Sequence, residues 1–261
     1  MPFVYNLTGV EPLCFAIEYG KSIKKDIDMK HVTIATYNIR HGADVGLDWS
    51  LLAENILATG ADLVGIQEMD MGTARVGGVD SLEGLRLATG LAHALFVPAM
   101  DFDGGQYGTA ILSRYPLRFS EIRSLKSGGY EPRAFGCITV KTEDGSPFCF
   151  LNTHLSYESA DQQNIQFRQL ADWMDKHIEG HIPTVLTGDF NTEDFTAFAP
   201  ITDLGFGLVN NGEHTYKTFR NPPLAIDNIV YRAACLTPVE HGMIDSDRSD
   251  HNLLWCRFEV K

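Results

Sequence analysis

The chain has 261 residues, of which 44% are hydrophobic and 21% charged, a composition that excludes disordered, fibrous and collagen-like classes. Its 21 basic and 34 acidic residues give a formal net charge of −13, which disfavours long duplex DNA as a partner, because that binding neutralises many phosphates with Lys and Arg. No stretch reaches the roughly 18 unbroken apolar residues of a transmembrane helix, and the five scattered cysteines, Cys14, Cys137, Cys149, Cys235 and Cys256, form no CxxC pair, which suits reduced thiols in a cytoplasmic protein.

Residues 1–29 hold a short apolar patch at 13–17 and a charged run at 21–30, with none of the features of a secretory signal. They are read as an N-terminal extension whose role the sequence leaves open, ahead of a single domain over 30–261. The β-branched run 31–37 predicts a strand. Asp48 can cap a helix over 49–59 that Gly60 ends. The nearly all-apolar run 61–67 suits a buried strand. A second helix is expected over 81–89, closed by Gly90. Four strands should follow at 108–113, 117–123, 134–141 and 147–153, joined by turns. A helix over 159–179 places Phe167, Leu170 and Met174 on one face. Further strands are expected at 183–187, 225–231 and 253–260. The Gly-rich stretches 75–80 and 101–107 read as loops. A helix-free stretch over 104–153 cannot supply the eight strand–helix alternations of a (β/α)8 barrel, so two packed sheets with outer helices fit better.

Polar residues gather abruptly at the ends of these apolar strands: Asn38, Gln67-Glu68, Asn152-Thr153-His154, Asp189-Phe190-Asn191 and Ser249-Asp250-His251, with Asp227 inside Ala225-Ile226-Asp227-Asn228-Ile229. Each alone is ordinary turn or surface chemistry. Together, at one rim of a sandwich, carboxylates and histidines repel and desolvate one another unless something organises them. A hard divalent cation does so, since carboxylate and carboxamide oxygens are Mg²⁺ or Mn²⁺ ligands. The histidines then face a phosphate. A buried Asp227 needs a partner, and His251 can supply a ring N–H.

The series Thr36-Tyr37-Asn38-Ile39, Gln67-Glu68, Asn152-Thr153-His154-Leu155, Gly188-Asp189-Phe190-Asn191, Ile226-Asp227 and Ser249-Asp250-His251 resembles the endonuclease/exonuclease/phosphatase superfamily, which includes DNase I, apurinic endonucleases, neutral sphingomyelinases and inositol polyphosphate 5-phosphatases. The resemblance runs from about residue 31 to 260 with every motif in order. It implies an α/β fold, a four-layer α/β sandwich of two packed, mostly mixed β-sheets flanked by helices. It implies Glu68 as principal metal ligand, helped by Asn38, with Asp250 completing the metal environment. Asp189 and Asn191 would position or activate the attacking water, while His251, oriented by Asp227, and His154 would bind the phosphate. Whether Asp189 or His251 takes the proton stays open. Two departures, Arg40 where apurinic endonucleases carry an acid and His154 where they carry Tyr, place the chain nearer DNase I, the sphingomyelinases and uncharacterised bacterial hydrolases.

Arg40, Arg75 and Arg133 are candidates for bidentate phosphate contacts. The expected function is a metal-dependent phosphoesterase acting on a phosphodiester of a small molecule or lipid headgroup. A DNA or RNA nuclease is the first alternative. A non-catalytic binding protein on the same fold is the second, and the intact motif set argues against it. The sequence gives no sign of oligomeric state.

Overall fold

A computed structural model describes residues 30–141, 145–217 and 222–261; the extension expected over 1–29 lies outside the described residues. The first strand, β1 (His31–Asn38), is buried on both faces from Ile34 onward apart from its solvent-facing start. Asp48 accepts the Ser50 N–H and opens α1 (Trp49–Thr59), which Gly60 ends at a left-handed φ of 67°. The strand β2 (Leu63–Met71) then runs parallel to β1, with Asn38 opposite Gln67. The helix α2 (Ser81–Thr89), capped by Asp80 and ended by Gly90, leads to β3 (His93–Phe102) and β4 (Gly105–Ser113).

The stretch 101–107 is therefore not a loop. Only Asp103 and Gly104 turn, at φ 47° and 81°, the two positive values that a two-residue hairpin needs. The other expected loop, 75–80, holds a short 3-10 turn and a bridge from Asp80 to Met71.

The chain continues through β5 (Phe119–Leu125), β6 (Arg133–Lys141) and β7 (Pro147–His154). The Ser159-capped helix α3 (Ala160–His177) crosses to β8 (Thr184–Asp189), parallel to β7. A single turn, α4 (Ala199–Thr202), precedes β9 (Phe206–Leu208), β10 (Asp227–Arg232), β11 (Leu236–Ile244) and β12 (Leu253–Val260). The strands form two six-stranded sheets, ordered β11-β12-β1-β2-β4-β3 and β5-β6-β7-β8-β10-β9. Each has one parallel pair at its centre, bridged by a helix, and antiparallel strands on both sides.

Three apolar layers hold the sandwich together. Val32, Ile34, Leu63, Phe148, Phe150 and Val185 fill the space between the sheets. Tyr37, Leu52, Ile56 and Leu85 join α1 and α2 to the first sheet, and Phe135, Leu151, Phe167 and Leu170 join α3 to the second. The fold is a four-layer α/β sandwich, as expected.

The sheets are also stitched by polar side chains beneath their parallel strand ends. Gln67 Nε2 donates to Asn152 Oδ1 at 2.7 Å, Asn152 Nδ2 donates to the carbonyls of Ile66 and Ala110 at 2.9 Å, and Thr187 Oγ1 donates to Asn152 Oδ1 at 3.0 Å. All three side chains are buried and satisfied, as a polar group inside a core must be.

Candidate active site

The carboxyl ends of the two parallel pairs meet at one edge of the sandwich, the place where open α/β sheets bind ligands. Asn38 closes β1, Glu68 lies in β2, His154 closes β7 and Asp189 closes β8. Glu68 does not end its strand. The register of β2 against β4 shifts between Ile66 and Met69, and Glu68 sits in that bulge at φ 56°. A bulge re-aims a side chain: Gln67 turns into the core and Glu68 into the cleft. A non-glycine residue at positive φ costs about 1–3 kcal/mol and marks functional sites. Asn191 shows the same conformation at φ 53°.

The side chains converge. Asn38 Nδ2 lies 3.2 Å from Glu68 Oε1 and 3.0 Å from Asp189 Oδ2, joining the two sheets through one carboxamide. His251 Nδ1 donates to Asp227 Oδ2 at 2.8 Å, while its Nε2 lies 3.7 Å from Asp189 Oδ2. Asn191 Nδ2 donates to His154 Nε2 at 3.0 Å, and His154 Nε2 is 3.5 Å from Asp189 Oδ2. Asn191 N–H donates to Asp189 Oδ1 at 3.0 Å. Glu68, His154, Asp189, Asn191, Asp250 and His251 line a cavity of about 530 Å³.

Arg75 and Arg133 line the same cavity on its far wall. Arg40 is half exposed instead, 2.9 Å from Asp44 and 3.7 Å from Asp250. Sequence reasoning missed several neighbours. His41, at φ 45°, brings its ring 3.7 Å from Glu68 Oε2; Tyr216 stands beside His251 with ring centroids 4.8 Å apart; and Tyr107 and Glu131 complete the far wall. Only the Gly after His41 hinted at an unusual backbone there.

Burial sets the protonation pattern. Burial and the charge of Asp227 push Asp189 up to about 7. Burial alone would lower His251, but the Asp227 carboxylate overrides it and raises the imidazole to about 10, so the imidazole is charged at neutral pH. Burial and the Arg133 charge hold His154 well below the usual imidazole range, so it is neutral. Burial opposes ionisation of Glu68, yet hydrogen bonding from His41 and Asn38 together with histidine charge lowers it to about 2. Asp250 is raised, mainly by burial.

One donor grouping among the described residues is close enough to hold a metal ion. Asp189, Asp227 and His251 offer ligand atoms within 4.8 Å of one another. The Nδ1–H bond to Asp227 engages that pair already. Glu68, Asp250 and Asn38 offer oxygen donors of the kind a hard cation takes. Asn38 Oδ1 accepts the Arg40 N–H at 3.0 Å while Nδ2 faces the carboxylates, so ligation through its oxygen needs the opposite amide orientation.

Comparison with known families matches residues 35–251 to the Endonuclease/Exonuclease/phosphatase family. The chain belongs to that family. Members of the endonuclease/exonuclease/phosphatase family are hydrolases that act on phosphate esters. Among curated proteins, the uncharacterized protein YbhP of Escherichia coli K12 is 34% identical over 88 residues, 33% of this chain. The match spans 34%, about a third, of that relative's length. Among solved structures, an endonuclease/exonuclease/phosphatase from Beutenbergia cavernae superposes with a TM-score of 0.73 at 21% identity, covering 88% of this chain and 72% of its own. The human Nocturnin catalytic domain with bound sulfate gives 0.69 at 20% identity, covering 90% of this chain and 96% of its own. At such identities these structures establish the shared fold.

Proposed function

We propose that the protein is a hydrolase dependent on Mg²⁺ or Mn²⁺ that cleaves P–O bonds by attack of water, on a phosphodiester of a small molecule or lipid headgroup. The observation that carries this reading is the junction of Asn38, Glu68 and Asp189 beside the Asp227–His251 pair at one cavity. Glu68, Asp250 and Asn38 hold the cation, which when bound supplies positive charge to the phosphoryl oxygens.

The chain's own groups do the rest. Asp227 fixes the ring and tautomer of His251, so that its Nε2–H faces the phosphate as a charged donor. His154 stays neutral, its Nε2 engaged by the Asn191 amide, and lends shape and a polar contact without adding a cation. Asp189, poised near neutral pH, receives a proton from the attacking water. Asn191 N–H holds the Asp189 carboxylate in place. Arg133 and Arg75 contact the substrate from the far wall, and Arg40 from the rim. The free thiols of Cys137, Cys149, Cys235 and Cys256 support a cytoplasmic location.

The test is hydrolysis of bis-p-nitrophenyl phosphate and p-nitrophenyl phosphate with Mg²⁺, Mn²⁺ or EDTA. Metal-dependent cleavage favouring the diester is expected, with a loss of about 10²–10⁴-fold in Asp189→Ala, the range for a proton-transfer residue. Activity in EDTA, or unchanged activity in Asp189→Ala, would overturn the reading.

A further inference from the structure

The far wall of the cavity is more elaborately built than phosphate contact requires. Asp70, wholly buried in β2, takes Arg75 through both carboxylate oxygens, Nε to Oδ2 at 2.6 Å and Nη2 to Oδ1 at 2.7 Å. Thr73 Oγ1 donates to the same carboxylate at 2.5 Å. The guanidinium lies over the Phe102 ring at 4.6 Å and near the Tyr107 ring at 5.5 Å. Arg75 is thus fixed by a fork and two rings, with Nη1 left over. Beside it Arg133, only 3% exposed, meets Glu131 at 3.1 Å. Arg133 Nε has no hydrogen-bond partner among the described residues. Arg133 and Glu131 both line the cavity.

Charge decides what this wall suits. Each guanidinium has its own carboxylate, so the wall is neutral overall. A second phosphate or carboxylate on the substrate would find an anion opposite every cation. An acyl chain would strip water from Arg75 and Glu131, the part-exposed members of the two pairs, and return nothing. A hydroxyl group both donates and accepts, so it satisfies a guanidinium N–H and a carboxylate oxygen at once. Phe102 and Tyr157, exposed at 37% and 65% on the cavity lining, offer apolar faces to the carbons of the same ligand.

We propose that Arg75, positioned by Asp70, and the Arg133–Glu131 pair form a specificity subsite for a neutral, hydroxyl-rich alcohol moiety of the substrate, a sugar or other polyol. This rests on the phosphoesterase reading and names the substrate class within it. Asp70 acts only through Arg75 and is a positioning residue.

The experiment measures competitive inhibition of bis-p-nitrophenyl phosphate hydrolysis by three matched esters: a hexose phosphate, a hexose bisphosphate and cyclohexylmethyl phosphate. A site built to hydrogen-bond hydroxyls rejects the analogue lacking them. The hexose phosphate is therefore expected to bind at least tenfold more tightly than the cyclohexylmethyl ester and more tightly than the bisphosphate. In Arg75→Lys and Asp70→Asn that tenfold ratio should collapse to within twofold. Retention of the ratio in Arg75→Lys, equal inhibition by hexose and cyclohexylmethyl esters, or preference for the bisphosphate overturns the subsite and leaves the phosphoesterase reading standing. Absence of any ester hydrolysis by the metal-loaded wild type overturns both.

Discussion

A buried imidazole that stays charged is the most distinctive residue-scale feature here. His251 holds its proton to about pH 10 in the folded chain, against an ordinary value of about 6.5. The folded state therefore binds that proton more tightly than the unfolded chain. The stabilisation is complete below about pH 6.5 and is lost as pH rises through about 10. NMR titration of the metal-free protein should show the His251 ring signals moving near pH 10, and in Asp227→Asn moving far closer to 6.5. Asp189 has the same sign over a lower pH window. Its rise from 3.8 to about 7 means that its ionisation costs stability as pH climbs through that window. For Glu68→Gln, calorimetry should find Mn²⁺ affinity reduced at least tenfold with the fold intact by circular dichroism; unchanged affinity would assign the metal to Asp189, Asp227 and His251 instead. Much of this chemistry was legible in the sequence because Asp227 broke an apolar strand, and a carboxylate there demanded a partner. His41 and Asp70 were not legible. One depends on a left-handed backbone at φ 45°, the other on a fork from Arg75, and neither leaves a periodic trace.

At the scale of elements, α1, α2 and α3 read cleanly because their ends are chemical, while the single turn α4 went unread. Asp48, Asp80 and Ser159 each accept a backbone N–H of the first turn, and Gly60 and Gly90 close two of the three. The strands that went unread, β3, β9 and β11, are all at sheet edges. Two carry a proline at a register shift, Pro98 in β3 and Pro238 in β11. Proline at a bulge of an edge strand costs little pairing, so the signal that demotes a strand in sequence is harmless in the sheet. The third is only three residues long. Gly65, in the centre of β2, shows the reverse case of a residue whose smallness is imposed. A Cβ there would overlap Thr187 Oγ1 and Asn152 Oδ1. Gly65→Ala should cost about 1–3 kcal/mol, the range for overpacking, by urea denaturation. Because the same polar stitch sits beneath the site, activity should fall with it; unaltered stability would show that the sheets have slack between them.

For the whole molecule, the two halves of the site are carried by different sheets, and the proposed cation ligands Asn38, Glu68 and Asp250 all belong to the first. Any ligand that binds only the folded state stabilises it by mass action. At a hundredfold excess over its dissociation constant the gain is about 2.7 kcal/mol, or roughly 5–10 °C in Tm for a chain of this size. Thermal scans with Mn²⁺ and with EDTA should differ by that amount in the wild type, and much less in Glu68→Gln. No shift in the wild type would remove metal from the account. The strand–helix pattern and motif order indicated the sandwich at this scale, because three apolar layers require strands buried on both faces and helices apolar on one. The neutral far wall was beyond reach, since pairing Arg75 with Asp70 and Arg133 with Glu131 is a property of folded distances.

The order in which strands join the first sheet carries a further consequence. The strand β1, near the start of the described chain, lies between β2 and β12, and β12 is the last strand. The second sheet is drawn entirely from the segment between them. A chain emerging from the ribosome would thus keep one edge of β1 unpaired until β12 is released, and pairings so distant in sequence close slowly. His251, which immediately precedes β12, arrives with that closing strand. A chain cut short before it would present an open β edge, the surface on which nascent proteins aggregate or are captured by chaperones, and would lack one half of its Asp227–His251 pair. Emergence of β12 and assembly of the site therefore coincide.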